Sequence, residues 1–240
     1  VICSDKTGTL TQNRMTLVKI FNGKEIVEVA EHGERRDVVS LLEMAAMCCD
    51  GRVEMVDGKA HHIGDPTETG IVAALMKYGK TDKAAIDSMY PRMGEIPFDS
   101  DRKLMTTINM IEGHPVAIVK GAPDILLSRC TAGNVEEAKK ANMEMAGGAL
   151  RVLGVAFKKL DDVPSNPTSE ELEEGLTLAG LVGMIDPPRK EVRAAVERCR
   201  AAGVKPVMIT GDHKLTAVAV AKELDIFQPG DLALTGEDRK

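Results

Sequence analysis

The chain has 240 residues, 43% of them hydrophobic and 28% charged, enough to bury the core of one large domain or two modest ones. A net charge of −6, no Trp, four Phe and two Tyr leave no basic face with aromatic platforms, so nucleic acid is excluded as an expected partner. The five cysteines, Cys3, Cys48, Cys49, Cys130 and Cys199, include no C-x-x-C and read as reduced thiols in a cytosolic compartment. No run approaches the ~20 apolar residues of a spanning helix. The chain begins on a strand without Met and stops on Gly236 to Lys240, so both ends read as cut and the chain as an excised cytosolic portion of something larger.

In chain order, Val1-Ile2-Cys3 suits a buried strand ending at Asp5, and Thr7-Gly8-Thr9 a turn rich in hydroxyls and free amides. Leu17 to Phe21 predicts a strand, Asn22-Gly23 a hairpin turn and Lys24 to Ala30 its partner. Asp37 to Cys49 has helical spacing with Asp37 as its cap, and Arg52 to His62 a hairpin around Asp57-Gly58. Thr67 to Tyr78 and Asp82 to Met89 read as helices; Arg92–Phe98, Lys103–Ile111 and Val116–Lys120 read as strands. Pro123 opens another helix, Asn134 to Leu150 is mostly helical, and Arg151 to Lys158 returns as a strand. Asp161 to Glu174 is an exposed loop with a short helix, and Leu178 to Ile185 a strand. Beyond the stiff break Asp186-Pro187-Pro188-Arg189 the pattern becomes helix to Gly203, strand Val204–Ile209, and helix Leu215–Leu224. The adjacent His61 and His62 point to opposite faces of a strand and read as a surface pair rather than a metal site.

Two strand ends carry polar triplets, Asp5-Lys6-Thr7 and Thr210-Gly211-Asp212. Ligands of open α/β sheets bind outside the carboxyl ends of strands. The economical architecture is therefore one parallel α/β sheet built from residues 1–13 and 186–240, interrupted by an inserted α+β domain over 14–185 with an antiparallel sheet. The inserted domain is entered and left through two crossings, a two-strand hinge.

The octet Ser4-Asp5-Lys6-Thr7-Gly8-Thr9-Leu10-Thr11 resembles the phosphorylation signature of the P-type cation-transporting ATPases. Further segments look like the same family in the same order: Gly64-Asp65-Pro66-Thr67-Glu68, Phe98-Asp99-Ser100-Asp101-Arg102-Lys103-Leu104-Met105, Lys120-Gly121-Ala122-Pro123, Asp186-Pro187-Pro188-Arg189 and Met208-Ile209-Thr210-Gly211-Asp212. They span essentially the whole chain. The resemblance implies a haloacid-dehalogenase-like, Rossmannoid P domain, incomplete here, interrupted by a nucleotide-binding N domain of a type II, calcium-pump-like ATPase. Its cofactors would be ATP and Mg²⁺. Its partners would be the rest of the pump, namely membrane helices, actuator domain and remaining P domain, with the transported cation held elsewhere.

The resemblance also implies roles. Asp5 would be the nucleophile that becomes an aspartyl-phosphate, with Lys6 and the Gly8 amide stabilising the transferred group. Asp5 and the Thr7 carbonyl would hold Mg²⁺. Thr210 and Gly211 would bind the phosphoryl group, and Asp212 would orient the site. Phe98 would stack on adenine, Lys103 and Arg151 would face the triphosphate, and Lys120 and Gly121 would line the nucleotide cleft. Glu68 would accept a hydrogen bond from the base or a neighbouring basic group, and Asp186 joins this cofactor-binding set. Ser100 stands where animal pumps often carry Arg, so one family phosphate contact is unmatched. The G-D-G-x-N-D signature that completes the Mg²⁺ site does not occur, and the chain as given is expected to bind ATP but phosphorylate itself poorly. Two alternatives are a free-standing phosphatase of the same superfamily and a noncatalytic nucleotide-binding module. Thr7 disfavours the first, because its hydroxyl is too weak a base to activate water.

Overall fold

Runs of aliphatic and β-branched residues separated by glycine turns recur through the middle of the chain, and they pair into an eight-stranded sheet. The computed structural model describes residues 1–211 and 214–236. After β1 (Ile2–Asp5) and a wide turn (Lys6–Leu10) come β2 (Thr16–Phe21), β3 (Ile26–Glu28), α1 (Val29–His32), α2 (Arg36–Met47), β4 (Arg52–Val56) and β5 (Lys59–Ile63). Next are α3 (Pro66–Ala74), which runs on as a wider turn through Gly79, α4 (Lys83–Met89), β6 (Arg92–Asp99), β7 (Leu104–Ile111) and β8 (His114–Gly121). Then follow α5 (Pro123–Ser128), β9 (Cys130–Ala132), α6 (Val135–Gly147), β10 (Arg151–Lys159), α7 (Ser169–Leu172) and β11 (Leu176–Ile185). The last elements are α8 (Lys190–Ala201), β12 (Pro206–Ile209) and α9 (Lys214–Glu223).

The large sheet runs β3-β2-β11-β10-β8-β7-β6, antiparallel throughout, with β9 added parallel to β11. Helices cover both faces. Alternation along β8 divides its side chains, Ile118 packing with Leu42, Ile71, Leu75 and Ile86, and Val119 packing with Leu126, Met145 and Leu104. Burial on both sides explains why Val116 to Val119 of β8 form an unbroken apolar run rather than an alternating pattern. The β4–β5 hairpin forms its own two-stranded sheet, turned by Asp57 and Gly58, both at positive φ as a tight hairpin requires.

β1 pairs in parallel with β12, Asp5 opposite Ile209, and the two strands form a separate sheet. A third core, Leu10, Val192, Val196, Val220, Ala221 and Leu224, backs them. The expectation of a buried first strand is corrected: Val1 is 84% and Ile2 49% exposed. Among the described residues β1 has β12 as its sheet neighbour, and the helical layer leaves much of that pair uncovered. A second correction concerns α2, whose cap position is held by Arg35. Asp37 sits inside the first turn, accepting from the Arg35 guanidinium (2.7 Å) and the Asn22 amide (2.6 Å).

The two chain crossings between the sheets are laced together. Thr11 bridges Pro188, Gln12 N donates to Pro187 O (3.0 Å), and Arg189 N donates to Leu10 O (2.9 Å). The Asp186 carboxylate spans both, accepting from the Thr11 hydroxyl (2.6 Å) and the Arg14 amide (3.2 Å).

Candidate functional site

Antiparallel register puts the expected nucleotide-binding residues at one end of the large sheet. Leu104 pairs with Gly121, Asp99 with Leu104, and Gly154 with Gly121. The carboxyl end of β6 (Phe98), the residue before β7 (Lys103), the end of β8 (Lys120, Gly121) and the start of β10 (Arg151) therefore share that end.

Lys120 lies on the face of β8 that meets α2 and α3, and its side chain is 6% exposed. Its ammonium donates to Glu68 Oε1 (2.7 Å) and lies 3.2 Å from Cys49 Sγ. Glu68 reaches this position because Asp65 caps α3, accepting from the Thr67 and Glu68 amides, with Pro66 in the first turn. Its other oxygen accepts from the amides of Asp50 and Gly51, each at 2.8 Å. Glu68 therefore meets the Lys120 ammonium and the Asp50–Gly51 backbone at once.

Burial works against the Lys120 ammonium, but the acidic groups beside it, Cys49, Cys48 and Glu68, more than reverse this, and its pKa lies above the ordinary lysine value. Burial pushes the Cys49 thiol up to about 12, so it stays a protonated thiol near neutral pH. Cys49 and its contact with Lys120 escaped sequence reasoning, which read the five cysteines only as reduced thiols. Thiol chemistry checks this packing directly. Iodoacetamide is expected to label exposed Cys3 in the native chain, and Cys48 and Cys49 only after denaturant is added. Native-state alkylation of Cys49, read by mass spectrometry, would mean that the Lys120 pocket is open.

Phe98 is 62% exposed, an aromatic platform that the fold does not bury. The turn after it is set by Asp99, whose carboxylate accepts from the amides of Asp101 and Arg102 (3.0 and 2.9 Å), and it ends with Lys103 at φ 56. Gly121 faces this turn so closely that a Cβ there would lie 2.2 Å from Lys103 O. Arg151 is exposed at the sheet margin and donates to the Thr67 hydroxyl (3.1 Å). That contact joins the start of β10 to the first turn of α3, and the sequence carried no signal of it.

The second group gathers at the carboxyl ends of β1 and β12. Asp5 is exposed, and Thr210 and Gly211 follow the end of β12, where the parallel pairing aligns them with it. Asp212 lies outside the described residues. Gly8 takes φ 78 inside the turn, and its carbonyl accepts from the Arg189 guanidinium (2.9 Å). The Asp5 carboxylate and Thr7 carbonyl are oxygen donors of the kind Mg²⁺ takes. Among the described residues no cluster of three or more His, Cys, Asp or Glu forms, so these two fit as part of a coordination set rather than a whole one.

A cleft of about 380 Å³ separates the groups, lined by Lys6, Thr7 and Thr216 on one side and Pro66 and Arg151 on the other, with Asp186 also on its wall. The structure thus brings Lys6, Thr7, Arg151 and Asp186 to one cleft. Asp5, Lys103, Phe98 and Lys120 are not among its lining residues. Asp186 is tied into the paired chain crossings through Thr11 and Arg14, not turned toward the end of the large sheet.

A family model described as P-type ATPase, cytoplasmic domain N, matches residues 37–191. The chain is 39% identical to a calcium-transporting ATPase of Listeria monocytogenes over 99% of its own length and 28% of that protein. It is 40% identical to calcium-transporting ATPase 1 of Lactococcus lactis (99% and 28%). It is 42% identical to calcium-transporting ATPase 1 of Bacillus cereus (95% and 26%). The chain thus spans less than a third of the length of these relatives.

Proposed function

The chain belongs to the P-type ATPases, and from that premise we propose that it is the part of a cation pump that binds ATP and receives its γ-phosphoryl group. The observation that carries the reading is the shared position of Lys103, in the turn before β7, Lys120 on β8 and Arg151 on β10 at the sheet end that also bears exposed Phe98. Adenine would stack on the Phe98 ring, with Lys120 in the wall of the pocket and Lys103 and Arg151 toward the phosphates. Residues 14–185 form the nucleotide-binding domain on this reading. Residues 1–13 and 186–240 belong to a haloacid-dehalogenase-like phosphorylation domain, and Asp186 acts at the hinge between them.

An Asp5 carboxylate oxygen attacks the γ-phosphorus in line as the bond to the β,γ-bridging oxygen breaks. ADP leaves with that electron pair, and the product is an aspartyl-phosphate. Lys6, the Thr210 hydroxyl and the Gly8 and Gly211 amides would hold the equatorial oxygens. Mg²⁺, when bound by Asp5 and Thr7, supplies charge neutralisation on the transferring phosphoryl group. The names of the relatives support calcium as the transported cation, with its ligands in membrane segments of the longer protein. Among the described residues no helix is long and apolar enough to cross a membrane. The pump would thus be a membrane protein with this portion on the cytosolic side, partnered by its membrane helices, actuator domain and remaining phosphorylation domain.

Calorimetric titration of ATP, with and without Mg²⁺, tests the reading. Saturable binding is expected in the chain and in Asp5→Asn, with affinity lowered about tenfold in Phe98→Ala, the scale of one base–aromatic stack. Equal affinity in chain and Phe98→Ala would refute the adenine site. Steady phosphate release from a simple phosphomonoester, lost in Asp5→Asn, would establish a phosphatase instead.

A further inference from the structure

The polar stretch between β10 and β11 reads from composition as an exposed loop, yet Glu173 within it has no solvent exposure. A carboxylate stays charged in such a place only where donors surround it. Glu173 Oε1 accepts from the Arg102 guanidinium and from the Thr106 hydroxyl (2.7 Å), and Oε2 accepts from Arg129 (3.3 Å). Lys158 clamps the backbone on both sides, donating to the carbonyls of Glu171 (2.9 Å) and Glu174 (3.1 Å). The carboxylate is thus fixed from several elements at once.

Arg102 has a second contact. Its other terminal nitrogen donates to Pro97 O at 2.6 Å, on the residue immediately before Phe98. Phe98 is mostly exposed, so packing does little to fix its ring; the backbone beneath it must do so. A planar guanidinium can hold a carboxylate and a carbonyl together, whereas a lysine ammonium on its flexible stem does not reproduce that fork.

We infer that Glu173 is a positioning residue for the nucleotide: through Arg102 it sets the backbone under Phe98, and with it the angle at which the ring meets the base. The inference rests on the reading that Phe98 stacks on adenine. It also gives Arg102 a different task from its neighbour Lys103. Arg102 is folded under the turn against Glu173, with its side chain 14% exposed, and is not spread toward the phosphates.

The test is a double-mutant cycle by calorimetry on the 240-residue chain, using ATP and, as a ligand without a base, inorganic tripolyphosphate. Glu173→Gln is expected to weaken ATP binding about fivefold and tripolyphosphate binding not at all, and to add nothing once Phe98→Ala is present. Losses that add in the Phe98→Ala background, or that fall equally on tripolyphosphate, would mean a general structural role and overturn the inference. If Glu173→Gln does not fold, Arg102→Lys carries the same comparison, because a cation stays beside Glu173 while the Pro97 carbonyl loses its donor. Phe98→Ala without effect would remove the stacking reading and this inference with it. Phe98→Ala weakening ATP while Glu173→Gln leaves it unchanged would remove the inference alone.

Discussion

Lys120→Met is expected to abolish measurable ATP binding and to lower stability by about 3 kcal/mol, because breaking a buried ion pair leaves its partner without compensation. Met keeps the length and apolar character of the lysine stem, so the change is in charge rather than volume. Glu68 then keeps two amide donors but loses the cation beside Oε1, with its side chain only 15% exposed. The double variant Lys120→Met/Glu68→Gln separates structure from function. Removing both charges is expected to restore most of the lost stability in urea unfolding, while ATP binding stays absent. Recovery of binding in the double variant would mean that Lys120 serves the fold alone. Full stability in the single variant would mean that the pair contributes little.

Gly121→Ala is expected to cost about 3 kcal/mol, at the upper end for overpacking, and to weaken ATP binding at least about tenfold. The added Cβ would meet Lys103 O at 2.2 Å and Leu104 Cα at 2.9 Å, backbone atoms that cannot swing aside. Relief requires the ends of β7 and β8 to part. Lys103, already at positive φ, is displaced, and the bond from Ala122 N to Lys103 O (3.0 Å) is stretched. Gly113→Ala is the control at the opposite end of the same hairpin. There φ is +80° but nothing lies within 4 Å of the new methyl, so a loss of about 1 kcal/mol with unchanged ATP affinity is expected. Equal losses at the two positions would show that crowding at Gly121 is not what matters.

Periodicity carried most of the local structure. The spacing of Val38, Leu41, Leu42 and Ala45 is found in α2, Asn22-Gly23 and Asp57-Gly58 do turn hairpins, and the run from Arg92 to Lys120 is three paired strands. What sequence could not supply was order in space. That β2 joins β11, and that β9 adds itself in parallel, depends on contacts between distant segments that leave no local pattern. Glu173 shows the same limit within a site. A glutamate in a polar stretch reads as solvated, and its burial depends on arginines 71 and 44 residues away. The candidate site was named from short motifs, each legible because its residues are neighbours in the chain. The grip of Asp50 and Gly51 on Glu68, the Cys49 sulfur under Lys120, and Thr67 beside Arg151 were not legible, because backbone amides, a thiol and a hydroxyl make no motif.

The lacing of Thr11, Gln12 and Pro188 with the Asp186 carboxylate has a kinetic consequence. A single tether would let one unit swivel freely, and a group carried on it would sample a wide volume. Two segments bonded side by side would resist twisting, and on the proposed domain division the motion left easiest would be a swing across the cleft. On the proposed division, a phosphate tail held near Arg151 then searches an arc rather than a sphere. Its effective concentration at Asp5 is set by the stiffness of that swing more than by how tightly either side binds.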